Sequence, residues 1–276
     1  MSRWQEIHEK YAIPFPEPSL EPMWYGRREK TFVDERRVIV DQNTGEVFGT
    51  CTEKYQLVRY EDVLMMVEDV VKTLGLSEAQ IIPKLFSSGG KMSVSLRVPT
   101  SQVEIAKGDA IIPKIEIQTS YDLSWVMQIQ FGMFQLRCSN GVGTWLGFEK
   151  FRKRHIQSLD LTLTSDMISS GLIQLEEQSK IWKEWKGIKV PEAAYIKVWE
   201  ELPFSSAEKE KIEALPDVTS HLRIPDLQKQ DSLDMWSMNS IFTQFATHQI
   251  KSDLRRHEIQ PLIAKGMDKM YKSLAA

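Results

Sequence analysis

Cysteine is scarce in this chain: Cys51 and Cys138 are the only two in 276 residues. Two thiols make neither a disulfide framework nor a four-ligand zinc site. Long apolar runs are missing as well. None approaches the roughly 20 residues that a bilayer crossing needs, so no membrane partner is expected. The opening residues, "MSRWQEIHEKYAIPFPEP", lack the apolar core of an export signal, and a cytoplasmic protein with reduced thiols is the expectation. A basic excess is absent too, with 35 Lys and Arg against 38 Asp and Glu and a net charge of −3. Polyanion binding through overall charge is thereby excluded, and any such contact has to come from a local patch. The five histidines, His8, His155, His221, His248 and His257, show no HxH or HxxxH spacing, and neither a metal nor a cofactor is expected. "SSGGK" at 87–91 is too short for a phosphate-cradling loop and leads into a strand.

Charge is present in blocks. "KFRKRH" at 150–155 carries four fixed positive charges and no acid, and "KSDLRRH" at 251–257 carries three against one Asp. "EELPFSSAEKEKIE" at 200–213 is acidic. Such blocks form solvated faces or contact surfaces.

The first 30 residues hold Pro14, Pro16, Pro18 and Pro22 with Tyr11, Phe15, Trp24 and Tyr25. Proline opposes regular structure, while aromatics are unusual in disordered tails; an extended arm over 1–30 is expected, lying on its own core or a neighbouring subunit. "RRVIVDQNTGEVFGTCT" reads as a hairpin around Asn43-Thr44-Gly45. "YEDVLMMVEDVVKTLG" reads as a helix with acids in its first turn, one apolar face and Gly75 as its stop. From Ala79 to Cys138 short strands alternate with short turns, which indicates antiparallel hairpins. "WVMQIQF" and "MFQLRCS" read as two strands split at Gly132, and the repeated "IIPK" at 81 and 111 puts Pro83 and Pro113 at edges or strand starts. Helices follow residue 160, the last two read as one long helix over "DSLDMWSMNSIFTQFATHQIKSDLRRHEI" and another beyond Pro261. Trp182, Trp185, Trp199 and Trp236 are expected to anchor their packing. The fold class is therefore α+β: an antiparallel sheet of hairpins with a packed helix over 31–160, then a mostly helical region over 161–276 packed on that core.

Chemistry-bearing clusters are few. Cys138 would need a base and a lowered pKa to act as a nucleophile; its alternation with Phe134 and Leu136 instead suggests packing at a strand end. Asp109, Glu116 and Asp122 could serve a magnesium nuclease if they converge, although the E-x-K spacing is missing. The basic segment is the richer signal. Lys150, Arg152, Lys153 and Arg154 interleave with Trp145, Phe148 and Phe151 after a glycine-rich loop. Cations meet phosphates and aromatic faces stack on bases; the alternative is an amphipathic segment with buried aromatics. Arg137 and Arg97 are candidates to assist, with Trp145 or Phe148 as stacking surfaces.

The stretch "GDAIIPKIEIQTSYDLSWVMQIQFGMFQLRCSNGV" resembles the central signature of the phage- and plasmid-borne family known as domain of unknown function 932. Its members carry a similar N-S-Y/H-D-G-S turn, then R-x-V-C-x-N-G/T. The turn here is Thr119-Ser120-Tyr121-Asp122-Leu123-Ser124, with Leu123 in place of the usual glycine, and Arg137-Cys138-Ser139-Asn140-Gly141 matches the second motif. "TCTEKYQLVRYEDVLMMVEDVV" and "WSMNSIFTQFATHQIKSDLRRHE" look like flanking segments of the same family. The resemblance extends by analogy of fold to phage single-strand-annealing recombinases, which form rings or filaments and hold DNA in a basic groove without metal or nucleotide. It implies a homo-oligomer in a bacterial host cytoplasm, more an annealing or binding protein for single-stranded nucleic acid than an enzyme. Two other readings compete: a protein-interaction module directed against host defence, acting through the acidic helical half, and a metal-dependent nuclease.

Overall fold

A computed structural model describes residues 3–106, 109–135, 143–144, 151–153, 164–202, 204–214 and 234–275. Contacts group the chain into two units. The first comprises Met1–Arg97, Ile115–Gln130 and Lys150–Ser169, and the second Val98–Lys114, Phe131–Glu149 and Ser170–Ala276.

In the first unit the turn at Asn43-Thr44-Gly45 forms as its chemistry dictates. Gly45 takes φ 73°, and its N–H donates to the Asp41 carbonyl at 2.8 Å. The turn joins β2 (Thr31–Asp41) to β3 (Val47–Thr52), and β1 (Pro18–Tyr25) pairs with the other side of β2. Asp41 is buried and ties these pieces together. Its carboxylate accepts from the Glu17 and Asn43 amides at 2.8 and 3.1 Å and from the Thr44 hydroxyl at 2.8 Å. Burial pushes this carboxyl up, but the Thr44, Glu17 and Asn43 donors outweigh it and the net pKa falls below the ordinary value.

The first 30 residues, expected as an extended arm, hold regular structure instead. Arg3–Tyr11 is helix α1 and β1 begins at Pro18. The prolines are accommodated because Pro14 and Pro16 fall between the two elements, while Pro18 and Pro22 sit in an outer strand. Helix α1 buries Ile7 and is held to helix α2 (Tyr60–Thr73) mainly by polar groups. Arg3 pairs with Asp69, Lys10 with Glu68 at 2.7 Å, and His8 Nε2 with the buried Glu61 at 2.8 Å.

Helix α2 buries Val63, Leu64, Val67 and Val70 and packs on β4 (Gln80–Phe86) and β5 (Lys91–Arg97). These two strands pair antiparallel from Gln80↔Arg97 to Phe86↔Lys91. Strand alternation puts Met92, Val94 and Leu96 on one face and Ser93 and Ser95 on the other.

The larger sheet runs β10-β8-β7-β5-β4, where β7 is Asp109–Ser120, β8 Met127–Gln135 and β10 Phe151–Lys153. Strand β6 (Val103–Ala106) pairs with β7, and β9 (Gly143–Thr144) with β8. Two local expectations are corrected. The chain runs straight through Gly132 as one strand, because a single glycine is too short to reverse it. Pro113 lies in an inner strand, at the point where its partners change: residues 109–111 pair with β6, and the Val98 amide, just past β5, donates to the Pro113 carbonyl.

The second unit carries the helices α3 (Thr164–Trp185, beyond its first turns), α4 (Glu192–Glu201), α5 (Ser206–Glu213), α6 (Met235–His248) and α7 (Asp253–Ala275). Trp182, Trp185 and Trp236 are buried as expected, and the Trp199 ring stacks with Tyr195 and Phe242, each 5.9 Å away. Ser205 and Glu208 form a capping box on α5. The long helix expected from residue 231 is broken before Asp253, and Pro261 lies inside α7 rather than before it. Ser252 supplies a start for α7, its hydroxyl accepting from the Arg255 amide at 3.2 Å. Burial of Ile259, Ile263, Ala264 and Met267 holds the helix through the proline, which by itself costs about 3 kcal/mol. No helix among the described residues is long and apolar enough to cross a membrane.

Candidate nucleic-acid interface

Lys150, Arg154, Arg137, Trp145, Phe148 and Cys138 lie outside the described residues. Arg152 and Lys153 belong to β10, an outer strand, with their backbones opposite Gln128 and Met127 of β8. Arg97 ends β5 half-buried. Burial lowers its pKa, and the nearby Glu116 carboxylate opposes that shift. Glu116 is buried and accepts a hydrogen bond from the Ser95 hydroxyl, whereas Asp122 is used in a turn, so these two acids make separate bonds. Among the described residues no three carboxylate, imidazole or thiolate groups gather as metal ligands would.

The turn at Thr119–Ser124 is a structural corner. Asp122 Oδ1 accepts from the Ser124 amide at 3.0 Å and hydroxyl at 2.6 Å, and Oδ2 lies 3.7 Å from Lys91 Nζ. Leu123 takes φ 62°, a left-handed conformation that suits glycine. Next to it the Tyr121 ring stacks on Tyr60, with centroids 4.0 Å apart and planes at 11°. The Tyr60 amide, first in α2, donates to the Tyr121 hydroxyl at 3.0 Å, and the Tyr60 hydroxyl donates to the Gly89 carbonyl at 2.9 Å. Arg59 supplies no side-chain cap, so Tyr121 caps the helix from the turn that follows β7. Burial raises both phenol pKa values, which keeps the rings neutral and suits packing rather than acid–base chemistry.

An exposed basic-aromatic surface lies elsewhere, on the β1–β2 ribbon. Strand β3 pairs with β2 only from Arg36 to Val40. Beyond that point the ribbon continues as two strands, with Trp24 opposite Phe32 and Tyr25 opposite Thr31. The register shifts between Pro22↔Arg37 and Trp24↔Phe32, leaving a bulge in β2. Within it Glu35 sits at φ 58°, and its carbonyl accepts from the Glu53 amide at 3.2 Å. A bulge of this kind re-aims the strand beyond it. The tip carries large aromatics in solvent: Trp24 is 54% exposed, Tyr25 62% and Phe32 41%. The Trp24 and Phe32 rings lie 5.2 Å apart, and the Arg37 guanidinium lies 5.8 Å from the Phe32 centroid.

The connecting residues are Gly26-Arg27-Arg28-Glu29-Lys30, with three exposed cations against one acid. Gly26 at φ 112° makes this loop possible. A Cβ there would stand 2.0 Å from the Glu29 carbonyl oxygen, so any other residue forces the loop open. In the sequence, Trp24 and Tyr25 follow the prolines of the first 30 residues and group with the expected arm. The signal was present in "WYGRREKTF", where aromatics flank a basic glycine turn.

A family model described as "Domain of unknown function (DUF932)" matches residues 47–266. No curated protein and no solved structure matches the chain. The ribbon tip precedes residue 47, so its reading rests on the physical chemistry of this chain.

Proposed function

The chain belongs to the family described as "Domain of unknown function (DUF932)", and we propose that it binds single-stranded nucleic acid, with the β1–β2 ribbon as a principal contact. The observation that carries the reading is the exposed trio Trp24, Tyr25 and Phe32 around a loop bearing Arg27, Arg28 and Lys30. Large aromatics left in water are usually reserved for a contact. Cations beside them favour a polyanion whose bases have π faces. Arg152 and Lys153 on an outer strand support a second set of phosphate contacts, together with Lys150 and Arg154. The acidic balance of the whole chain fits local rather than diffuse binding. The finer reading, annealing of single strands by an oligomer of phage or plasmid origin in a bacterial cytoplasm, follows from the sequence resemblance and forms part of the proposal.

Anisotropy titrations of labelled single-stranded DNA against salt test it. The parent should bind with a negative salt slope. Replacing Arg27, Arg28 and Lys30 by alanine should flatten that slope by up to about 2, at about 0.7 per phosphate lost. Gly26→Ala should weaken binding while leaving the unfolding transition in place, since it disturbs only an exposed loop. No salt-dependent binding by the parent, or parental affinity in both variants, would refute the proposal.

A further inference from the structure

The ribbon offers aromatic surface on both of its faces. Trp24 and Phe32 are directly opposed and share one face; Tyr25, the next residue along β1, points to the other. Both faces are in solvent, with Trp24 at 54% and Tyr25 at 62% exposure. Among the described residues the only strand pairing with β2 beyond Arg36 is β1, so neither edge of the tip is thickened by a third strand. A platform for one strand needs aromatics on one face only. Two occupied faces on a blade two strands wide, with Arg27, Arg28 and Lys30 at its apex, fit two unpaired strands passing on either side.

We propose that the ligand of this ribbon is a branch point, where a nucleic-acid duplex opens into two single strands. The inference rests on the nucleic-acid reading above and specifies its substrate. One arm stacks a base on the Trp24–Phe32 face and the other on Tyr25. The apical cations meet the phosphates that crowd together where the arms diverge, the position of highest negative charge density. The bulge at Glu35, fixed by the Glu53 amide, sets the angle at which the blade leaves the three-stranded sheet.

The test compares three labelled DNAs with the full chain: a single strand, a blunt duplex, and a fork whose two arms each carry 2-aminopurine, in separate preparations, at the first unpaired position. The fork should bind at least about fivefold tighter than a single strand matched in unpaired length, the effect of one further stacked base. The 2-aminopurine emission should be quenched on both arms. Tyr25→Ala should abolish quenching on one arm and reduce fork affinity to the single-strand value, while Trp24→Ala should abolish it on the other arm. Equal affinity for fork and single strand, or a preference that survives Tyr25→Ala, overturns the branch-point inference and leaves single-strand binding standing. Absence of binding to all three DNAs removes the nucleic-acid reading itself and this inference with it.

Discussion

Removing one oxygen atom from Tyr121 tests how helix α2 is started. Tyr121→Phe keeps the ring that stacks on Tyr60 at 4.0 Å but deletes the acceptor 3.0 Å from the Tyr60 amide. That amide is the first of the helix, and Arg59 before it provides no side-chain cap. Both tyrosines are fully buried, so water cannot easily take over. An unsatisfied buried donor costs about 1–3 kcal/mol, in the range of losing an ordinary helix cap. With a urea dependence of about 2–3 kcal/mol/M, the unfolding midpoint should fall by roughly 0.3–1.5 M. Hydrogen exchange at the Tyr60 amide should accelerate alongside it. Tyr60→Phe is the companion variant. It loses the bond to the Gly89 carbonyl, and since an under-satisfied carbonyl is better tolerated than an orphaned amide, its shift should be the smaller of the two. A Tyr121→Phe variant with the parental midpoint and an equally protected Tyr60 amide would refute the capping argument.

Leu123 provides a second perturbation. Its φ of 62° costs about 1–2 kcal/mol for a non-glycine residue, and the extra freedom of glycine in the unfolded chain offsets part of that. Leu123→Gly should therefore raise stability by about 0.5–1 kcal/mol, whereas Leu123→Ala, which keeps the strain, should give no gain; the two denaturation curves decide it. Asp41 sets an acid limit. Its folded pKa lies below the unfolded one, so its contribution is fully present above the unfolded value near ~4 and is lost as pH falls through the folded pKa. Thermal unfolding followed from pH 6 to pH 2 should show parental stability declining below about pH 4, and Asp41→Asn should flatten that decline.

Much of the fold was legible in local patterns. Asn43-Thr44-Gly45 supplies the turn geometry for β2 and β3, and the apolar spacing of Val63, Val67 and Val70 marks the buried side of α2. The misreadings have a common physical origin. Gly132 and Pro261 are breakers by propensity, yet each lies inside a continuous element, because pairing and burial along the whole element exceed a local preference of at most a few kcal/mol. Trp24 and Tyr25 follow a run of prolines and so resemble part of an arm, although from Pro18 onward the chain is a paired strand.

The candidate site divides along the same line. Composition and residue order determined that cations and aromatics lie close together in the chain, in "WYGRREKTF" and in "FEKFRKRH". Exposure is not written there. Trp24 and Trp182 are the same residue type, and only tertiary packing leaves the first in solvent and buries the second completely. Only the tertiary structure, likewise, brings Tyr121 to the start of a helix 61 residues earlier in the chain. Turn chemistry, caps and periodicity act over a few residues and can be read in order, whereas burial and long-range hydrogen bonds depend on which distant segments meet, and that is settled by the free energy of the whole fold.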